Sequence, residues 1–126
     1  MMEFTYDYDV FLICPVRNAT PDQKAEMQSY IDGLEAQGKK VYYPARDTNQ
    51  NDIVGWQICG DNRWAIKHSK EVHIFYDPAS TGSLFDLGMA FATHKYLKLV
   101  NIDKVEATDG TKSFNNLIRY WNEKVA

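Results

Sequence analysis

Apolar positions fall along this chain in two alternating rhythms. Four short continuous runs read as strands: "YDVFLIC" at 8–14, "KKVYYP" at 39–44, "EVHIFYD" at 71–77 and "LKLVNI" at 97–102. A short apolar run without strict alternation fits a strand covered on both faces. Between the runs, apolar residues recur at helical spacing. Met27, Ile31 and Leu34 make one stripe. Trp56, Cys59, Arg63 and Ile66 share a face of a helix expected from about Asp52 to Ser69, with Gly55 and Gly60 as points where it could break. Leu84, Leu87 and Phe91 mark the stripe of a helix over Ser80–Lys95, and Phe114, Leu117, Ile118, Trp121 and Val125 that of a last helix.

The first helix carries a strong start signal in "VRNATPDQ". Thr20 is placed to cap, Pro21 suits the first helical position, and Gln23 completes a capping box. Gly38 closes the helix. Strands alternating with helices across short loops predict an α/β fold. Its expected form is a small doubly wound, flavodoxin- or Rossmann-like parallel sheet of four to five strands with helices on both faces. The 126 residues amount to a single domain, 1–126, without repeats, linkers or low-complexity segments.

In such sheets ligands bind outside the C-terminal strand ends, where the winding reverses. That rule selects the loops Cys14–Thr20, Pro44–Asp52 and Asp77–Ser83, all rich in polar residues. In the third, Ser80, Thr81, Gly82 and Ser83 bring hydroxyls and a permissive glycine to a helix start. This can serve as an anion cradle or as a plain helix cap. Asp86 lies beside the apolar stripe, on the line of Ser83 and Ala90, where a solvated helix-face acid is the ordinary expectation. In the first loop, Arg17 and Asn18 follow Pro15 and Val16. An arginine fork there suits a phosphate or carboxylate, or equally a surface ion pair. Asp61 could pair with Arg63 or Lys67, or face the same cleft; Trp56 could stack on a base or fill the core.

Composition narrows the function classes. The net charge of −3 does not call for a nucleic acid polymer or an anionic membrane. No apolar run approaches the ~20 residues of a membrane span. The opening "MMEFTYDYDV" does not read as a secretory leader. Cys14 and Cys59 are lone cysteines that fit a reducing, cytoplasmic setting and small buried positions. His68, His73 and His94 show no metal-ligand spacing. G-x-S-x-G, G-x-x-x-x-G-K-[ST] and a full G-x-G-x-x-G are all missing, which disfavours common hydrolases, P-loop enzymes and dinucleotide binders.

"FLICPVRN", Asp61 on the helix before the third strand, and "STGSLFDLGMAFA" together resemble the nucleoside 2-deoxyribosyltransferase-like superfamily, over roughly Tyr8 to Val100. The resemblance implies that Asp86 stands where that family has its nucleophilic glutamate. It would attack C1′ of the sugar and expel the base, with Asp61 orienting the sugar or handling protons. Ser80, in place of an aspartate, resembles the branch that hydrolyses nucleoside 5′-monophosphates. A nucleotide N-glycosidase is then implied, with Pro15, Val16, Arg17, Asn18, Ser80, Gly82 and Ser83 binding substrate and phosphate. The alternatives are a deoxyribosyltransferase on free nucleosides and a catalytically weak nucleotide-binding or sensing module on the same fold. The resemblance implies no metal or organic cofactor, and as partners a small nucleotide or nucleoside and further copies of the chain, in a homodimer or higher homo-oligomer. "YDYDVFLICPVRN" and the spacing of "GLEAQGKKVYY" also resemble the opening of TIR domains, which are interaction modules or NAD glycohydrolases.

Overall fold

The computed structural model describes residues 5–107 and 110–124. Strand β1 (Tyr8–Ile13) leads through α1 (Pro21–Ala36) to the two-residue β2 (Val41–Tyr42). A single helical turn, α2 (Pro44–Asp47), and a loop precede α3 (Trp56–Lys67). Then come β3 (Ser69–Ile74), α4 (Thr81–Ala92), β4 (Leu97–Leu99), one turn of 3-10 helix at Ile102–Lys104, and α5 (Phe114–Lys124).

The four strands form one sheet in the order β2-β1-β3-β4, and every pairing is parallel. This is the expected α/β class with the lower strand count. Val10, Phe11, Leu12 and Ile13 have no exposed surface, as a central strand covered on both faces requires. The two faces are clad unequally. Met27, Ile31 and Leu34 of α1 pack on Val10, Leu12, Val41 and Phe75. The opposite face carries Phe11, Ile13, Val72 and Ile74 against Ala65 and Ile66 of α3, Leu87 and Ala90 of α4, and Ile118 and Trp121 of α5.

The predicted cap of α1 forms in full. Thr20 Oγ1 accepts from the Gln23 N–H at 3.1 Å, and Gln23 Oε1 accepts from the Thr20 N–H at 2.9 Å. Gly38 takes φ +83°, the left-handed conformation that ends the helix. Other expectations need correction. The helix placed from Asp52 starts at Trp56, because Gly55 turns left-handed at φ +87° and Asp52 caps from the loop. Its carboxylate accepts from Gln57 N–H at 2.8 Å and Ile58 N–H at 3.1 Å. Those backbone donors hold the Asp52 carboxyl below its ordinary pKa. Gly60 does not break α3. The third strand runs two residues earlier than predicted, and the second and fourth are shorter. Phe114 and Leu117 are exposed on α5, and Val125 lies outside the described residues.

At the N-terminal edge of the sheet the Lys95 ammonium is buried, and no carboxylate among the described residues pairs with it. Its Nζ donates to the carbonyls of Lys67 at 3.0 Å and Ser69 at 2.7 Å, and it stands 4.8 Å from the centre of the Tyr6 ring. The C-terminus of α3 thereby gains a cation where its dipole is negative, and burial lowers the Lys95 pKa. Above the α1-side face, His73 bridges Glu71 and Tyr30. Its Nε2 lies 2.8 Å from the carboxylate and its Nδ1 2.6 Å from the phenol. Desolvation lowers the His73 pKa.

Because α3 packs against α4 and faces the site described next, its seat on the sheet should set overall stability. Ile66→Ala removes a side chain with no exposed surface. The expected loss is about 2–5 kcal/mol, measured as a lower urea midpoint at unchanged m-value.

Candidate functional site

β1 and β3 pair in register from Tyr8↔Ser69 to Ile13↔Ile74, so they end together at one edge of the sheet. The segments that follow, from Cys14 and from Phe75, therefore leave side by side. The second leads to α4. Asp77 Oδ1 accepts from Ala79 N–H at 2.9 Å, and its carbonyl from Ser80 N–H at 2.9 Å, which turns the chain into the helix. Ser80 is the cap: its Oγ lies 3.3 Å from the Ser83 N–H and 2.8 Å from the Ser83 hydroxyl. Ser83 is buried, and Gly82 is exposed with open space where a side chain would stand.

The inward line of α4 is Ser83, Asp86, Leu87 and Ala90. Phe91, expected on the buried stripe, is 61% exposed, and Asp86, expected in solvent, is only 8% exposed. The helix is thus rotated so that its single acid faces α3. Desolvation raises the Asp86 pKa from 3.8 to about 7, and one hydrogen bond opposes that rise. Asn62 Nδ2 donates it to Asp86 Oδ2 at a long 3.4 Å. Asp86 takes part in no ion pair among the described residues. None of their buried side-chain polar atoms lacks a partner. The oxygen of Asp86 that makes no hydrogen bond is therefore the atom that reaches the surface.

Asn62 is in turn held from behind. Its Oδ1 accepts from Thr48 Oγ1 at 2.9 Å, and Thr48 Oγ1 lies 2.6 Å from the Tyr42 hydroxyl. Two thiols flank the acid. Burial, then the Asp86 charge, push Cys14 up to about 12, and the same two causes, with Asp52, raise Cys59. Both cysteines are free, but only Cys14 is buried.

The structure sets Ser80, Gly82, Ser83 and Asp86 together at the start of α4, and the other expected residues have surroundings of their own. Asp61 accepts from Gln57 Nε2 at 2.8 Å rather than pairing with Arg63 or Lys67. Its neighbour Asn62, which the sequence reading passed over, is the side chain that meets Asp86. Pro15 and Val16 line an open groove of about 500 Å³ together with Lys24, Tyr43 and Arg46, on the α1 side. Arg46 is committed to Glu35 and Asp47 at 3.0 and 2.8 Å. Arg17 and Asn18 are exposed. Trp56 is 80% exposed at the start of α3, next to Ile53 at 103% and Val54 at 87%, so it does not fill the core. Among the described residues no cluster of three or more His, Cys, Asp or Glu could hold a metal, and no helix is long and apolar enough to cross a membrane.

No protein-family model and no curated protein matches this chain. Solved structures do. The TIR domain of the Toll-related receptor TRR-2 from Hydra magnipapillata aligns with a TM-score of 0.58 at 17% identity, over 86% of this chain and 78% of that one. A metazoan TIR-STING receptor from C. gigas aligns with a TM-score of 0.53 at 18% identity, over 84% of this chain and 36% of that one. This chain has a TIR-like, flavodoxin-type fold. The matches overturn the resemblance to nucleoside 2-deoxyribosyltransferases, and with it the nucleotide N-glycosidase reading. The misleading signal was physical. A strand, a hydroxyl-rich turn and a helix bearing an acid are what any doubly wound sheet needs at a polar cleft.

The buried acid has a stability signature. With its carboxyl raised from 3.8 to about 7, the folded chain binds more protons than the unfolded chain between those values. Stability therefore falls as pH rises from about 4 through about 7, by on the order of 4 kcal/mol, and then levels. Asp86→Asn should raise the melting temperature by roughly 15 degrees at pH 8 and leave it unchanged near pH 4. Calorimetry across that range checks both the sign and the window.

Proposed function

We propose that this chain is a nucleotide-binding module of TIR-like fold, with an NAD-class dinucleotide as its ligand at the Asp86 cleft. The observation that carries the reading is the Asp86 carboxyl itself. It is 8% exposed, unpaired by any cation among the described residues, and held by one long hydrogen bond. A buried acid so weakly compensated is a stability cost, and perturbed acids of this kind gather at functional sites. Its place supports the same reading. It lies on α4, the helix that follows β3, near Cys14 at the exit of β1, where α1 and α4 diverge to opposite faces. Ser80 and Ser83 offer hydroxyls to polar groups of a ligand, and exposed Phe85 and Trp56 at the starts of α4 and α3 offer rings to a base. The TIR likeness supplies the ligand class, since NAD glycohydrolases occur among TIR domains.

A second reading, cleavage of the nicotinamide–ribose bond, is favoured by the protonation state. A carboxyl raised to about 7 is available in both protonation states near neutral pH and can act as nucleophile or base. Titration calorimetry with NAD should show saturable binding that Asp86→Ala weakens at least about tenfold, or ~1.4 kcal/mol. Chromatography of the same mixtures tests turnover. Nicotinamide release that rises with pH through about 7 and is abolished by Asp86→Asn would establish the second reading. If folded protein binds neither NAD nor adenine mononucleotides, the nucleotide proposal fails.

A further inference from the structure

We infer that Tyr42, Thr48 and Asn62 form a one-way chain of hydrogen-bond donation that turns the Asn62 amide nitrogen onto Asp86, so that the acid proton of Asp86, when present, points out to the ligand. Thr48 and Asn62 are then positioning residues of the proposed site. The inference rests on the reading of Asp86 as the ligand-facing group, and it adds which of its oxygens does the facing.

Counting protons sets the direction. Thr48 has one hydroxyl proton and gives it to Asn62 Oδ1 at 2.9 Å. The 2.6 Å contact between Tyr42 and Thr48 must therefore be donated by the phenol. With its oxygen occupied, Asn62 can offer Asp86 only an N–H. A protonated Asp86 cannot return a hydrogen bond to that nitrogen. Oδ2 stays the acceptor, and the proton belongs on Oδ1, the oxygen that reaches the surface. The reverse direction needs Asn62 to present its oxygen to Asp86 and its nitrogen to Thr48. Thr48 would then donate to Tyr42, whose own proton would need another acceptor. Tyr42 is 6% exposed and among the described residues its hydroxyl bonds to Thr48 alone, so the reverse chain ends on a buried, unused donor.

The surroundings do not supply a competing switch. The titratable groups facing Asp86 are Cys14 from the end of β1 and Cys59 from α3, both raised by burial and so neutral around pH 7. Asp61, Asp47 and Tyr8 act on the far end of the chain, at Tyr42. The link that holds Asp86 runs through neutral side chains, so it keeps its direction while Asp86 titrates.

The test is a titration of the free protein, followed by the side-chain carboxyl 13C shift of Asp86 and assigned with Asp86→Asn. Thr48→Val fills the same space and frees Asn62 to turn its oxygen to the acid. The Asp86 midpoint should rise by about one pH unit, a tenfold gain in proton affinity. Thr48→Ser should restore the midpoint. Tyr42→Phe should leave it in place, because Thr48 still donates to Asn62. A midpoint unmoved by Thr48→Val, or moved equally by Tyr42→Phe, would overturn the chain. Should Thr48→Val not fold, the wild-type protein still decides. One Asn62 side-chain N–H resonance should follow the Asp86 midpoint, and a pair indifferent to pH would refute the contact. No ligand enters the titration, so a failure to bind NAD would leave this result standing and count only against the nucleotide proposal.

Discussion

Everything at this site depends on the pairing of β1 with β3. Four consecutive residues of β1 have no exposed surface, so their backbone groups must find partners within the sheet. A parallel partner in register makes both strands end at the same edge. β2 lies on the other side of β1, so the chain leaves that edge toward both faces of the sheet. A crevice follows from this geometry before any particular side chain is chosen. The start of α4 then lies beside the exit of β1, and the packing of α3 against α4 closes the third side.

The crevice sets hydration against packing. The same line of α4 that delivers Leu87 and Ala90 to the core delivers Asp86. Rotating the helix to hydrate the acid would pull both apolar residues off the sheet, at about 1.5–3 kcal/mol for a leucine alone. The helix keeps its core contacts, and the acid bears the desolvation. Asn62 supplies the single relief, and it is itself fixed by Thr48 from the loop after β2. The state of the carboxyl is thus set by two helices and a loop together.

Much of the architecture was legible in the chain. Strand–helix alternation fixed the class, and the reversal rule pointed to Cys14–Thr20, Pro44–Asp52 and Asp77–Ser83 without knowledge of side-chain contacts. The capping box at Thr20 was readable to the atom, because a cap is a local interaction among residues three apart. The site was read less well, for reasons of distance. Whether Asp86 faces water or α3 turns on a rotation of one helix, and Leu84 and Phe91 suggested the wrong angle. Asn62 was hidden because its partners, Thr48 and Asp86, lie 14 and 24 residues away. The start of α3 was misplaced because Asp52 caps from outside the helix, across a left-handed Gly55. The family likeness misled because hydroxyl, glycine and acid at a strand–helix turn report the demands of a cleft more than descent.

Lys95 gives the molecule a built-in clock. Its amine is packed under Tyr6 and bound to two carbonyls that belong to the end of α3 and the start of β3. An acylating reagent meets that nitrogen most readily when the foot of the sheet parts, whereas the exposed Lys98 close by reacts at all times. The ratio of their labelling rates therefore reports how often this end opens. It does so at the end of β3 where Ser69 begins the strand, whereas Asp86 is read by its own titration.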